Sequence, residues 1–233
     1  MGREHDKHPS PEPVDLQESP LPSTAVKAKA AAALGISALL LAVPAPAATA
    51  ATASAPATHT ASAAALADVD YGTWRQDVAA VTAQAGPYLK ERADRAKAGE
   101  KQAVVLDIDN SSLETDFHPF WELPTPAIPE IRALVRDAHA RGTAIFFVTA
   151  RPGIIQSLTE WNLKEVGYPV DGLYVRSLPD LFTGVGAYKT AKRAEIEAKG
   201  YTIVANIGNN TTDLEGGHAE RTFKLPDYGG KLS

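Results

Sequence analysis

The stretch AVVLDIDNSS, Ala103 to Ser112, decides how the rest of the chain must fold. Ala103 to Leu106 is a short apolar run of the kind that forms a strand buried on both faces of a parallel sheet. The run stops on charge. Asp107 and Asp109 are two apart, so an extended backbone points both carboxylates to one side, about 6 to 7 Å apart, and turns Ile108 to the other. Asn110, Ser111 and Ser112 follow, and their short polar side chains favour a turn by bonding to nearby backbone. Carboxylates leaving the end of a buried strand are costly unless they are solvated, paired or bound to a cation. In open α/β sheets that location is the ligand crevice. A D-x-D pair also fits one acid capping a turn beside a second that is simply solvated, so the remaining chain has to decide.

Working outward, the composition is uneven. Residues 1 to 29 are polar with several prolines, residues 30 to 66 are dominated by Ala, Ser, Thr and Pro, and a balanced globular composition begins near Asp68. Lys27 and Lys29 precede an apolar run of 14 residues, Ala30 to Val43, followed by small-residue A-x-A sites. A membrane span needs about 20 residues, so this pattern reads as an export signal with a long n-region over 1–47, cleaved after Ala47 or Ala50. A flexible linker over 48–67 and one domain over 68–233 complete the expected organisation. The expected location is secreted, with no stable membrane association after cleavage. A net charge of −5 gives no footprint for nucleic acid. The absence of cysteine excludes disulfides, thiolate metal sites and Cys nucleophiles.

Along the domain, Thr73 to Lys97 is helical in pattern, with Gly86-Pro87 expected to break it in two. Leu113 to Pro129 is rich in aromatics and proline; Phe117, His118, Phe120 and Trp121 follow the carboxylates and are a candidate substrate rim. Ile128 to Arg141 is an amphipathic helix ended by Gly142. Ala144 to Val148 is a second buried strand ending on Thr149, Ala150 and Arg151, after which Pro152 opens a helix through Val166. A hydroxyl beside free helix N–H groups suits a phosphate oxygen, although Thr149 equally fits an ordinary N-cap. Gly172 to Val175 forms a third strand, Tyr188 to Lys199 a helix closed by Gly200, and Thr202 to Ile207 a fourth strand ending on Gly208, Asn209, Asn210, Thr211, Thr212 and Asp213. Arg221 to Leu225 is a candidate fifth. Strands alternating with helices, each strand ending in polar residues, indicate a doubly wound parallel α/β sheet.

Four signals therefore stand in order: DIDNS at 107–111, VTAR at 148–151, YK at 188–189 and IGNNTTD at 207–213. With their flanks, FFVTARP, LTEWNLKEVGY, YKTAKRAEIEAKGY and IGNNTTDLEGGHAERTFKLPDY, they resemble the class B-type acid phosphatases of HAD superfamily subfamily IIIB, over nearly all of 70–227. The resemblance implies a HAD-like Rossmannoid three-layer sandwich with a central parallel sheet. It implies a phosphomonoesterase acting through an aspartyl-phosphate, with Asp107 as nucleophile and Asp109 as general acid and base. Thr149, the Ala150 N–H and Lys189 would hold the phosphate of a small-molecule phosphomonoester. Mg²⁺ would be held by Asp107, the Asp109 carbonyl, Asn209 and Asp213. Arg151 fits either a substrate contact or a structural salt bridge.

The chain departs from the family at one place: Gly208-Asn209 stands where the family usually has Gly-Asp. A neutral amide brings no charge to a metal, so Asn209→Asp is expected to raise Mg²⁺ affinity, with Asp213 compensating in the natural chain. The same departure suggests the alternative of a non-catalytic or weakly active binding or storage protein. Too few residues separate the four motifs for a cap domain of ordinary size, so an open site is expected.

Overall fold

The computed structural model describes residues 69–232; the export signal and the linker lie outside the described residues. Asp70 starts the first helix, α1 (Tyr71–Asp94), by accepting a hydrogen bond from the Thr73 N–H at 2.7 Å. The helix is continuous through Pro87, against the expected break. A mid-helix proline costs about 3 kcal/mol. Trp74, Val78 and Ala85 before it and Leu89 after it are all buried, and each large apolar side chain so buried contributes roughly 1.5–3 kcal/mol. Packing on both sides of the proline outweighs the local cost.

Five strands follow: β1 (Lys101–Leu106), β2 (Ala144–Pro152), β3 (Gly172–Arg176), β4 (Tyr201–Gly208) and β5 (Thr222–Lys224). Every neighbouring pair is parallel, and the spatial order is β3-β2-β1-β4-β5. The chain steps from β1 outward to β3, then returns to add β4 and β5 on the other flank of β1. The switch point lies between β1 and β4, where open α/β sheets leave a crevice at the carboxyl ends of their strands.

Alternation along β1 sorts its residues between two cores. Val104, Leu106 and Ile108 pack with Trp74 and Val78 of α1 and with Ile131 and Val135 of α2 (Pro129–Ala140). Ala103 and Val105 face the opposite way, toward Tyr188 and Ile196 of the helix Val185–Ala198. That helix is α4, the fourth among the described residues; α3 spans Gln156–Glu165 and a single short turn, α5, spans Thr211–Leu214. The result is the expected three-layer α/β sandwich. Gly142 and Gly200 end α2 and α4 at φ of 91° and 88°, a left-handed backbone that glycine adopts without steric cost.

Two boundaries differ from the sequence reading in ways that matter for the site. β2 runs on to Pro152, which pairs with Arg176 after a register shift; a 3₁₀ turn (Gly153–Ile155) intervenes, and α3 begins only at Gln156. No helix starts at Pro152, so Thr149 is not an N-cap. α4 begins at Val185, which places Lys189 inside its second turn rather than at its start. The segments joining β1 to α2 and β3 to α4 hold the 3₁₀ turns Thr115–Phe117 and Pro179–Phe182 and isolated bridges at Asp109, Leu113 and Ala127, and among the described residues there is no cap domain. Among them, too, no helix is long and apolar enough to cross a membrane.

Candidate active site

Asp107 is the first residue beyond β1, and the turn after it is tightly tied. The Ile108 carbonyl accepts from the N–H groups of Ser111, Ser112 and Leu113 at 3.2, 2.8 and 2.9 Å. Asn110 supplies the left-handed step at φ 52°, which asparagine tolerates better than most residues. The Ser112 hydroxyl donates to the Asp107 carbonyl at 2.6 Å. Asp107 continues the Ala103 and Val105 side of the strand and so meets α4. There Lys189 Nζ lies 2.6 Å from Asp107 Oδ1 and 2.6 Å from Asp213 Oδ1. All three side chains are buried, with exposures of 8, 4 and 2 %.

Burial pushes the Asp107 carboxyl up to about 6, with the Asp213 and Asp109 charges adding to the rise and Lys189 pulling against it. Burial works to deprotonate Lys189, but Asp107 and Asp213 outweigh it and hold the ammonium above its ordinary value. Asp213 is fixed from behind. Its Oδ2 accepts from the Asn210 N–H at 2.7 Å as part of a capping box on α5. Its main-chain carbonyl accepts from Arg193 Nη1 at 2.7 Å and Asn206 Nδ2 at 2.8 Å.

The open side of the site carries the other acid. Arg151 donates through Nη2 to Asp109 Oδ1 at 2.7 Å and through Nε to Asp109 Oδ2 at 3.1 Å, while the Thr115 hydroxyl donates to Asp109 Oδ1 at 2.9 Å. Thr149 is buried behind this pair, and its hydroxyl accepts from the Arg151 N–H at 3.2 Å. Between the two pairs lies a cavity of about 410 Å³ to which Asp107, Asp109, Ala150, Arg151, Lys189 and Asp213 all contribute. A model of the HAD superfamily, subfamily IIIB (acid phosphatase), matches residues 27–123 and 121–231. The chain belongs to this family.

Its curated relatives include plant proteins of different description. The chain is 39 % identical over 106 residues to the Stem 28 kDa glycoprotein of Glycine max, covering 44 % of this chain and 42 % of that one. It is 25 % identical over 174 residues to Acid phosphatase 1 of Solanum lycopersicum, covering 66 % and 68 %, and 33 % identical over 104 residues to Vegetative storage protein 1 of Arabidopsis thaliana, covering 44 % and 38 %. The chain thus spans less than half the length of the first and third of these relatives.

Within this subfamily IIIB chain, several expected site residues are placed elsewhere. Phe117 is buried and stacks on Trp74 at 4.3 Å between ring centroids, with Tyr71 edge-on at 5.1 Å; it is core, not rim, because α1 covers it. His118, Phe120 and Trp121 do not border the Asp107 cavity. They line a separate depression with Thr115, Asp116 and Pro119, and His118 lies between Glu114 and Glu122 at 3.2 and 3.1 Å. Arg151 proves to be both a salt-bridge partner and a cavity residue. Asn209 is wholly buried and absent from the cavity wall. Its amide oxygen accepts from the Ser111 hydroxyl at 3.0 Å and its amide nitrogen donates to the Leu232 carbonyl at 2.9 Å.

Val185, Asn210 and Thr212 complete the wall and were not singled out in the sequence. Neither were Asn206 and Arg193. Asn206 carried a signal, since a polar residue in the middle of the apolar run TIVANI needs a buried partner. Arg193 carried none: its partners, the carbonyls of Asp213, Glu215 and Gly217, lie more than a helix away in sequence.

Proposed function

We propose that this chain is a secreted, Mg²⁺-dependent phosphomonoesterase working through an aspartyl-phosphate. The observation that supports it best is the buried Asp107–Lys189–Asp213 triad opening onto a crevice whose other wall is Asp109 with Arg151. An isolated carboxylate would repel a phosphate dianion. Lys189 and Arg151 flank it with two cations, which stabilise charge on the transferring phosphoryl group.

In the first step an Asp107 carboxylate oxygen forms a bond to phosphorus while the ester P–O bond breaks. The leaving alkoxide takes a proton from the Asp109 carboxyl. In the second step water, losing a proton to Asp109, attacks phosphorus and the Asp107–phosphorus bond breaks, releasing inorganic phosphate. Splitting one difficult displacement into two is the gain from a covalent nucleophile. Arg151 is hydrogen-bonded to Asp109 in the resting protein. An arriving phosphate offers the same guanidinium a second anion, and the transfer of Arg151 from Asp109 to phosphate leaves Asp109 free to carry a proton. Ala150 borders the same edge, where its N–H would meet a phosphate oxygen, and Thr149, wholly buried and outside the cavity wall, would act from behind it.

The donor set fits a hard divalent cation. Three carboxylates, Asp107, Asp109 and Asp213, face two side-chain cations, and every available donor atom is oxygen. Among the described residues no three acidic or histidine side chains form a metal cluster by themselves. Mg²⁺ does not need one, since it binds through one or two carboxylates and keeps several waters. The Asp107 carboxylate and the Asp109 main-chain carbonyl would hold it, with Asp213 close by. When bound, such an ion neutralises charge on the phosphoryl oxygens.

Secretion is supported by the apolar run at Ala30–Val43 and by a relative described as a glycoprotein. A storage or binding role draws support from Asn209 and from the relative named as a storage protein. The intact Asp107, Asp109 and Lys189 favour turnover. Hydrolysis of an aryl phosphate by the purified protein, with Mg²⁺, with a chelator and as Asp107→Asn, separates the two readings. Asp107→Asn should lose at least about a thousandfold in kcat, as removal of a covalent nucleophile does. Wild-type turnover no greater than that of Asp107→Asn would leave only the storage reading.

A further inference from the structure

The last motif carries an amide where the resemblance leads one to expect an acid, and the surroundings of that amide explain why. The Ser111 hydroxyl accepts from the Asn209 N–H at 2.9 Å, so its own proton is free for Asn209 Oδ1, 3.0 Å away. The other end of the side chain faces the Leu232 carbonyl. A carbonyl only accepts, so the atom opposite it must carry a hydrogen. Asn209 is the residue that satisfies both neighbours at once, and neither its oxygen nor its nitrogen is turned to the cavity.

Leu232 belongs to a strap that crosses the end of β4. Leu225 and Leu232 are completely buried in the core shared with Trp74. The Leu225 N–H donates to the Gly208 carbonyl at 2.9 Å and the Leu232 N–H to the Asp227 carbonyl at 3.1 Å. Lys224 donates to the Asn209 and Leu225 carbonyls and pairs with Asp227 at 3.1 Å. The Tyr228 hydroxyl donates to Asp77 on α1 at 2.6 Å.

We infer that Asn209 is a positioning residue, the latch that joins the strap 225–232 to the Ser111 turn behind the nucleophile, and not a metal ligand. A carboxylate at 209 would set an acceptor against the Leu232 carbonyl in a place closed to water. It would release the strap before it could serve a cation. The strap thereby helps set the turn that aims Asp107. The inference rests on the phosphatase reading only for its effect on phosphate; the strap and the metal are both read without turnover.

The test uses the full-length chain as wild type, Asn209→Asp, Leu232→Lys, their double variant, Ser111→Ala and Ser111→Thr. Measured are amide hydrogen exchange over 225–232, the thermal midpoint, and titrations of Mg²⁺ alone and of inorganic phosphate. Asn209→Asp should speed exchange over 225–232 by about tenfold or more, as expected when a buried hydrogen bond is replaced by two facing acceptors. It should bind Mg²⁺ no more tightly than wild type. The midpoint losses of Asn209→Asp and Leu232→Lys should sum to more than that of the double variant, because both break one link. Ser111→Thr should keep wild-type exchange and phosphate affinity, and Ser111→Ala should lose both. Tighter Mg²⁺ binding by Asn209→Asp with wild-type exchange, or strictly additive midpoints, would overturn the latch. Should Asn209→Asp not fold, wild-type exchange and phosphate affinity in Ser111→Ala would overturn it equally.

Discussion

Lys189 and Arg151 are both cations set against a carboxylate of the D-x-D pair, yet they stand in opposite environments. Lys189 is sealed between Asp107 and Asp213, with 4 % of its side chain exposed; Arg151 holds Asp109 with 17 % exposed on its own side and 27 % on that of the acid. A buried pair is strong only as a set, since desolvation makes each member costly without the others. A half-exposed pair contributes little to stability and can be exchanged. The difference assigns the two acids different work. On the proposed mechanism, Asp107 is held in one place with its charge under tension, as a nucleophile would need, and Asp109 is held by a partner that a substrate would take away.

Lys189→Met tests the sealed half. It leaves Asp107 and Asp213 facing each other without a cation, and it should lower unfolding free energy by roughly 3–5 kcal/mol, read by urea titration, as well as abolish turnover. A loss under 1 kcal/mol would show that water reaches the pair. Arg151→Ala tests the open half. Stability should change by less than about 1 kcal/mol, whereas KM for an aryl phosphate should rise roughly 10- to 100-fold, the worth of a charge-assisted hydrogen bond. An unchanged KM would mean that Arg151 never leaves Asp109.

The pH dependence sharpens the same contrast. The folded Asp107 carboxyl, near 6, lies above its ordinary 3.8, so the folded chain holds this proton more tightly than the unfolded one. The stabilising contribution is therefore complete below about pH 4 and is lost as pH rises through about 6. In buffer free of divalent cations, Asp107→Asn should remove that downward slope from unfolding free energies measured at pH 4–7. The smallest effect is expected at the exposed aromatics. Phe120→Ala and Trp121→Ala should change stability by no more than about 0.5 kcal/mol, whereas Phe117→Ala should cost roughly 3–5 kcal/mol. Equal losses at 117 and 120 would contradict the burial that separates them.

Much of this site was legible before any coordinates. The apolar runs that stop on polar residues placed Asp107, Asp109, Ala150 and Asp213, because in a parallel sheet the carboxyl ends of neighbouring strands must meet at one edge, whereas Lys189, on a helix, was pointed to by the family resemblance alone. Arg151 was left open by the sequence between two roles, and the cavity shows that one guanidinium can serve both. Phe117 and Phe120 could not be told apart, since a loop aromatic is rim or core according to whether a helix covers it. Here α1, continuous through Pro87, covers Phe117 and leaves Phe120 bare.

By itself, the amino-acid sequence determined that buried strands alternate with helices, that Asp107 and Asp109 leave the strand on one side, and the glycines that end α2 and α4, because these follow from periodicity and backbone sterics over a few residues; the strand order came only from the fold. Only the tertiary structure decided what Asn209 does. Its partners, Ser111 and Leu232, lie 98 and 23 positions away, and whether an amide faces a metal or a carbonyl depends on which distant groups the packed core brings against it.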